Sequence, residues 1–203
     1  MTKRMRVTAI KLITAVALAT VAVAGGGAQA DPAAGTGPDN VVWLTTTGTN
    51  DRAQDSSSQV GFYDGDDLRS ANVARSDSHD CTDCRTVTVA VQAVIATGHP
   101  HTVAPTNAAI AINERCERCT TYAYAYQYVV TANDDVEVSR RARGKVARIR
   151  NEIDDVAHSD LAPADLDARL NDLTAQFKAT IDAELKRQGE DRGDVHKFRD
   201  MES

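Results

Sequence analysis

Two short cysteine motifs carry the densest chemistry of this chain. Cys81-Thr-Asp-Cys84 returns 35 residues later as Cys116-Glu-Arg-Cys119. At the same offset Asn72 matches Asn107, Ala74 matches Ala109 and Thr86 matches Thr121. Ala90 and Ala125, Gln92 and Gln127, and Val94 and Val129 match as well. Identity at a fixed period marks stacked or paired supersecondary units.

Two Cys-x-x-Cys pairs admit three chemistries. The first is a disulfide framework using Cys81, Cys84, Cys116 and Cys119, bridged within each pair or between the copies. A bridge between copies closes the longer loop and is worth roughly 3–4 kcal/mol in the chain-entropy picture. The second is a four-thiolate zinc site, with His79, His99 and His101 close by in sequence as substitute ligands. The glycine that usually follows a zinc knuckle is missing, and Arg85 and Thr120 stand in its place. The third is thiol–disulfide redox chemistry. That chemistry favours a Cys-x-x-Cys at a helix start, where the helix end lowers the thiol pKa, whereas these pairs precede strands.

The compartment favours disulfides. Lys3, Arg4, Arg6 and Lys11 precede and enter an apolar run, Leu12 to Ala24, followed by Gly25-Gly-Gly and Ala28-Gln-Ala30. This is the three-part pattern of a signal peptide over 1–30, cleaved after export, and the apolar run is short for a membrane span. A secreted, extracellular location is therefore expected, with no membrane span after cleavage. The remaining 173 residues hold 19 basic and 29 acidic side chains, a net charge of −10. Nucleic acid needs a positive surface, so it is not an expected partner. An oxidising compartment and an even cysteine count both suit disulfides.

Residues 31–39 read as a flexible leader. Residues 40–133 read as a β-hairpin repeat region holding the two cysteine turns. Arg85 to Ile95 is rich in β-branched residues, and Tyr122 to Val130 alternates in type. Period-two alternation predicts strands and sorts their faces. Thr86, Ala90, Gln92 and Val94 share a small, closely packed face, where Gln92 and Gln127 can bridge neighbouring strands. The Tyr122, Tyr124, Tyr126 and Tyr128 stripe lies on the other face. Asn40 opens a degenerate first copy whose second strand, near Ser57 to Tyr63, needs a gap to align.

The period changes beyond residue 133. Ala142, Val146, Ile149, Ile153 and Val156 predict one amphipathic helix, and Leu166, Leu170, Leu173, Phe177, Ile181 and Leu185 a second. Ser139 can cap the first, and Pro163 with Asp165 suits the start of the second. Their short link predicts an antiparallel helical hairpin over 137–188, with its apolar faces covering the tyrosine stripe. Residues 189–203 read as a disordered tail. The fold class expected is therefore α+β.

Other signals are thin. His99-Pro-His101 reads as a solvated turn. Asp64, Asp66 and Asp67 lack the spaced ligands of a calcium loop. Arg140, Arg141, Arg143, Lys145, Arg148 and Arg150 crowd the first helix, with Asp182 and Glu184 as expected neighbours. No zinc-protease, serine-hydrolase or phosphate-loop motif is present. The expected function is a non-catalytic, disulfide-stabilised interaction module for an extracellular or cell-envelope protein, needing no cofactor. The alternative is an extracytoplasmic thiol-redox or zinc-binding protein using the four cysteines.

From Asn107 to Val130 the order Asn-x-Ala, Cys-x-x-Cys, x-Thr and Ala-x-Gln-x-Val resembles a family of uncharacterised exported actinobacterial proteins. The likeness spans about Asn40 to Leu185. It implies export, a repeated Cys-x-x-Cys unit and a following helical segment. Some relatives are labelled peptide zinc metalloprotease-like, but the protease part is missing here.

Overall fold

A computed structural model describes residues 37–132, 136–188 and 195–202, the last of these through its backbone alone at 195–199. The expected signal peptide lies outside the described residues, as does most of the leader. The structure is α+β, with mostly parallel strands and two helices towards the C-terminus.

The chain winds through three coils. The first holds β1 (Asn40–Thr49), β2 (Arg52–Asp64) and β3 (Asp67–Leu68). The second holds β4 (Ala71–Thr82), β5 (Arg85–Thr97) and β6 (Thr102–Val103), and the third holds β7 (Thr106–Glu117) and β8 (Thr120–Thr131). Equivalent strands pair in parallel: β1–β4–β7 form one sheet, β2–β5–β8 a second, and β3–β6 a small third.

This corrects the hairpin reading. Consecutive strands such as β4 and β5 belong to different sheets and face each other across the coil interior. The identical residues lie directly above one another: Asn40, Asn72 and Asn107 share one level, and Gln59, Gln92 and Gln127 another. Alternation tells which face a residue occupies, but not which strand it pairs with. Each coil alone cannot bury its inner face, so neighbouring coils complete one another, as in repeat proteins generally.

The interior is narrow and lined by small and polar residues. Val42, Ala74, Ala109, Ala90 and Ala125 pack together there. An asparagine ladder and a glutamine pair thread it. Asn40 donates to Asn72 Oδ1 at 2.8 Å, and Asn72 donates to Asn107 Oδ1 at 2.7 Å. Gln127 donates to Gln92 Oε1 at 2.7 Å, which is the strand-bridging role expected of these glutamines. In-register stacking lets one amide's donor meet the next one's acceptor, pairing polar groups such as the Asn72 amide that burial would otherwise leave costly.

Helices α1 (Arg140–Ala157) and α2 (Pro163–Arg187) lie against the outer face of the β2–β5–β8 sheet. Their anticipated apolar residues are all buried, together with Tyr122, Tyr124, Tyr126, Tyr128 and the valines of β5. Tyr124 reaches Asn171 and Thr174 of α2, and Tyr128 donates to Asp182 at 2.6 Å. Tyr124 and Tyr128 thus combine a large apolar body with a hydrogen-bonded hydroxyl. Ser139 accepts from the Ala142 amide and so caps α1.

Glu184 does not answer the arginines of α1. It accepts from the Ser139 amide at 2.8 Å and from Arg187 at 2.8 Å. Arg187 and the Ser139 bonds hold its carboxyl down at about 2, against the opposing effect of burial. A depressed carboxylate contributes stability above its unfolded pKa and loses it as pH falls through the folded one. Thermal stability should therefore fall between about pH 4.5 and pH 2 more steeply in the parent protein than in Glu184→Gln. Melting curves across that range check this; parallel pH profiles would contradict it.

The last strand departs from the expected disordered tail. β9 (Val195–Glu202) pairs antiparallel with β8 and covers its edge. The Asp200 and Glu202 carboxylates also accept from the Ala109 and Ala111 amides of β7. Charged side chains and a closing strand are common ways to blunt a solenoid's open end.

Candidate functional site: the stacked cysteine turns

Each cysteine motif sits at the corner where one sheet passes into the other. The residue before the first cysteine and the residue before the second both adopt left-handed backbone. These are Asp80 (φ 49°) and Asp83 (φ 58°) in the second coil, and Arg115 (φ 52°) and Arg118 (φ 54°) in the third. Aspartate tolerates this region better than most residues, while arginine occupies it at some cost. Stacking supplies an offset. Arg115 donates to Asp80 at 2.9 Å, and Arg118 makes two bonds to Asp83 at 2.7 and 2.8 Å. Both aspartate carboxyls are held below their usual range, chiefly by these arginine hydrogen bonds.

The stacking brings the cysteines together. Cys81 and Cys116 are register partners, and the Thr120 amide donates to the Cys84 carbonyl at 2.8 Å. Cys81 and Cys84 form a disulfide, with Cα atoms 5.9 Å apart. Cys116 and Cys119 are free thiols. The expected bridge is thus present in the first pair and not in the second, although the two turns share their left-handed positions. Cys81 and Cys84 are each 2% exposed, because a coil lies on either side of them. Cys116 and Cys119 are half-buried on the third coil.

The sulfurs of Cys81, Cys116 and Cys119 all lie within 4.8 Å of one another. Such a set suits a soft cation once Cys81 leaves its bridge. While the bridge stands, two thiols remain, fewer than the four ligands of a closed zinc site. Among the described residues no histidine joins the cluster. His79 is near Glu114 at 3.2 Å, and His101 lies 3.8 Å from Asp66.

Polar groups line the inside of the corner. Thr46, Ser78, Thr86 and Thr121 form a chain of buried hydroxyls, linked at 3.0, 2.9, 2.7 and 2.7 Å, and Thr121 donates to Asn113 at 2.6 Å. The Cys81 sulfur is 3.7 Å from Thr46 Oγ1. The Cys84 sulfur is 3.7 Å from the Gly48 carbonyl and 3.8 Å from that of Thr82. The Cys116 thiol donates to the Ser78 carbonyl at 3.4 Å, and the Cys119 thiol to the Cys81 carbonyl at 3.7 Å. Burial, reinforced by Cys119, pushes the Cys116 thiol up to about 11. The repeated Thr86 and Thr121 were the only sequence trace of this network.

A second feature lies on the outer face of the β1–β4–β7 sheet. Trp43 is 61% exposed and Val41 58% exposed. In register beside Trp43 stand Arg75 and Ile110, and beside Val41 stand Val73 and Ala108. The Arg75 guanidinium sits 4.6 Å from the Trp43 ring centre, and Trp43 donates to Asp77 at 2.9 Å. Arg75 in turn donates to both Asp77 oxygens. The two helices cover the other sheet and leave this face open among the described residues.

No family model matches the chain, and neither a curated protein nor a solved structure matches it.

Proposed function

We propose that the protein is an exported, non-catalytic interaction module that engages an extracellular or cell-envelope protein through the open face of the β1–β4–β7 sheet. The observation that carries this reading is Trp43. A large aromatic ring stands exposed on a sheet face, yet it is held in one orientation by Arg75 and Asp77. Tryptophan and arginine dominate the energetically important positions of protein interfaces, and fixing them beforehand lowers the ordering cost of binding. Val41, Val73, Ile110 and Ile112 extend an apolar surface around the ring. The N-terminal basic, apolar and small-residue pattern supports export. Among the described residues no helix is long and apolar enough to cross a membrane.

Trp43→Ser tests the reading. The change lies on an exposed face, so circular dichroism and melting temperature should stay close to those of the parent. Binding to a cell-envelope fraction should weaken at least about tenfold, as for the loss of an interface anchor. Trp43 is the chain's single tryptophan. Its emission should therefore shift to the blue when the parent binds. Equal retention of parent and variant, with no emission change, would overturn the proposal.

A further inference from the structure

We propose that the two cysteine turns form a thiol–disulfide exchange relay, in which the buried Cys81–Cys84 bridge is transferred outward by one coil to Cys116 and Cys119, there to oxidise accessible dithiols of other proteins. This activity is separate from the sheet-face reading and stands or falls without it.

Three observations carry the inference. The outer thiols lie against the inner bridge, with Cys81, Cys116 and Cys119 sulfurs mutually within 4.8 Å. The two turns share the same pattern of left-handed residues, so a turn shape that accepts a bridge at Cys81–Cys84 recurs at Cys116–Cys119. Oxygens that could accept from an S–H also lie beside the inner sulfurs. Thr46 Oγ1 stands 3.7 Å from the Cys81 sulfur, and the Gly48 and Thr82 carbonyls stand 3.7 and 3.8 Å from that of Cys84.

The steps balance without an added oxidant. Cys116 loses its proton to solvent, and its thiolate attacks the Cys81 sulfur. The Cys81–Cys84 bond breaks, and its electron pair leaves on Cys84, which takes up a proton. Cys119, deprotonated in turn, attacks the Cys116 sulfur. The Cys81–Cys116 bond breaks, and its electron pair leaves on Cys81 beside the Thr46 hydroxyl, where a proton is taken up. Two electrons and two protons have then passed from the outer pair to the inner one. The outer bridge next accepts two electrons from a substrate dithiol by the same exchange, releasing the substrate as a disulfide. Each chain oxidises one dithiol and ends with four thiols. Only the thiolate attacks, so the high pKa of Cys116 makes the first step slow near neutrality and faster as pH rises.

The full mature chain with one bridge is incubated at pH 7 and pH 9, quenched in acid, alkylated and mapped by peptide mass spectrometry. The relay predicts that the bridge appears at Cys116–Cys119 as well as Cys81–Cys84, about 100-fold faster at the higher pH through the thiolate fraction. Cys119→Ser, which lacks the second attacking thiol, should accumulate a Cys81–Cys116 bridge with Cys84 alkylated. Dithiothreitol as probe should be oxidised once per chain by the parent and at least about tenfold more slowly by Cys116→Ser, since attack then needs access to the buried pair. A bridge that stays wholly at Cys81–Cys84 after a day at pH 9 would overturn the relay. So would dithiothreitol oxidation by Cys116→Ser at the parent rate. The parent measurement decides the matter even where a variant fails to fold.

Discussion

Phe177→Ala should lower the unfolding free energy by about 3–5 kcal/mol, the usual loss for truncating a buried phenylalanine. Phe177 is fully buried in the cluster that joins α2 to the outer face of the β2–β5–β8 sheet. The coil interior cannot supply an equivalent core, because alanines, serines, threonines and amides line most of it beside a few larger residues such as Val42, Leu68 and Val94. Most large apolar side chains sit in the helix-covered layer, including Tyr122, Tyr124, Tyr128, Ile153, Leu170 and Ile181. The alanine would leave a cavity that paired β-strands and a long helix close only in part. Urea unfolding followed by circular dichroism measures the change. A loss under about 1 kcal/mol would show that the helices do not complete the sheet's core.

Asn72→Ala should cost about 2–4 kcal/mol, well beyond the value of one ordinary hydrogen bond. Asn72 is the middle rung of the asparagine ladder and is fully buried. It accepts from Asn40 and donates both to Asn107 and to the Ala90 carbonyl. Its removal leaves three polar partners short of a bond, two of them (the Asn40 amide and the Ala90 carbonyl) on buried residues, and burial of an unmatched polar group is the expensive case. Asn107→Ala, at the end of the ladder and half-buried, should cost less, because its loss disturbs only Asn72 and the Ala125 carbonyl. Equal losses for the two, by the same urea titration, would contradict a stacked ladder.

How much of this was legible in the sequence differs from element to element. The helices were, because residues such as Ile149 and Leu170 recur at helical spacing and are buried. The levels of the stack were also legible, since Gln92 and Gln127 recur at one offset and do meet. The pairing was not. Thr86 and Val87 alternate in the same way whether their strand has an antiparallel neighbour in its own repeat or a parallel one in the next. Parallel in-register stacking is nonetheless what keeps identical residues at one level in every coil.

The first coil was disguised by its length. Asn40 pairs with Asn72 at an offset of 32, yet Gly48 pairs with Cys81 at 33, because β1 lacks a counterpart of the left-handed Asp80. Asp67 pairs with Thr102 at 35, after a shorter turn in the first coil. These changing offsets produce the gap that the first copy seemed to need. The cysteine site was half legible. The motif located it, but the difference in burial between Cys81 and Cys116 comes from how many coils flank each, which no motif records. Trp43 gained its meaning only from Arg75 and Asp77 on the neighbouring strand.

In-register parallel stacking of the repeats is the claim on which the stacked amides and the sulfur cluster both depend, and nuclear Overhauser spectroscopy of the isotope-labelled protein tests it most directly. Side-chain amide cross-peaks between Asn72 and Asn107 and between Gln92 and Gln127 are predicted, with backbone contacts joining residues 81 and 116. Antiparallel backbone contacts between residues 71–82 and 85–97, with none at the 35-residue offset, would contradict it.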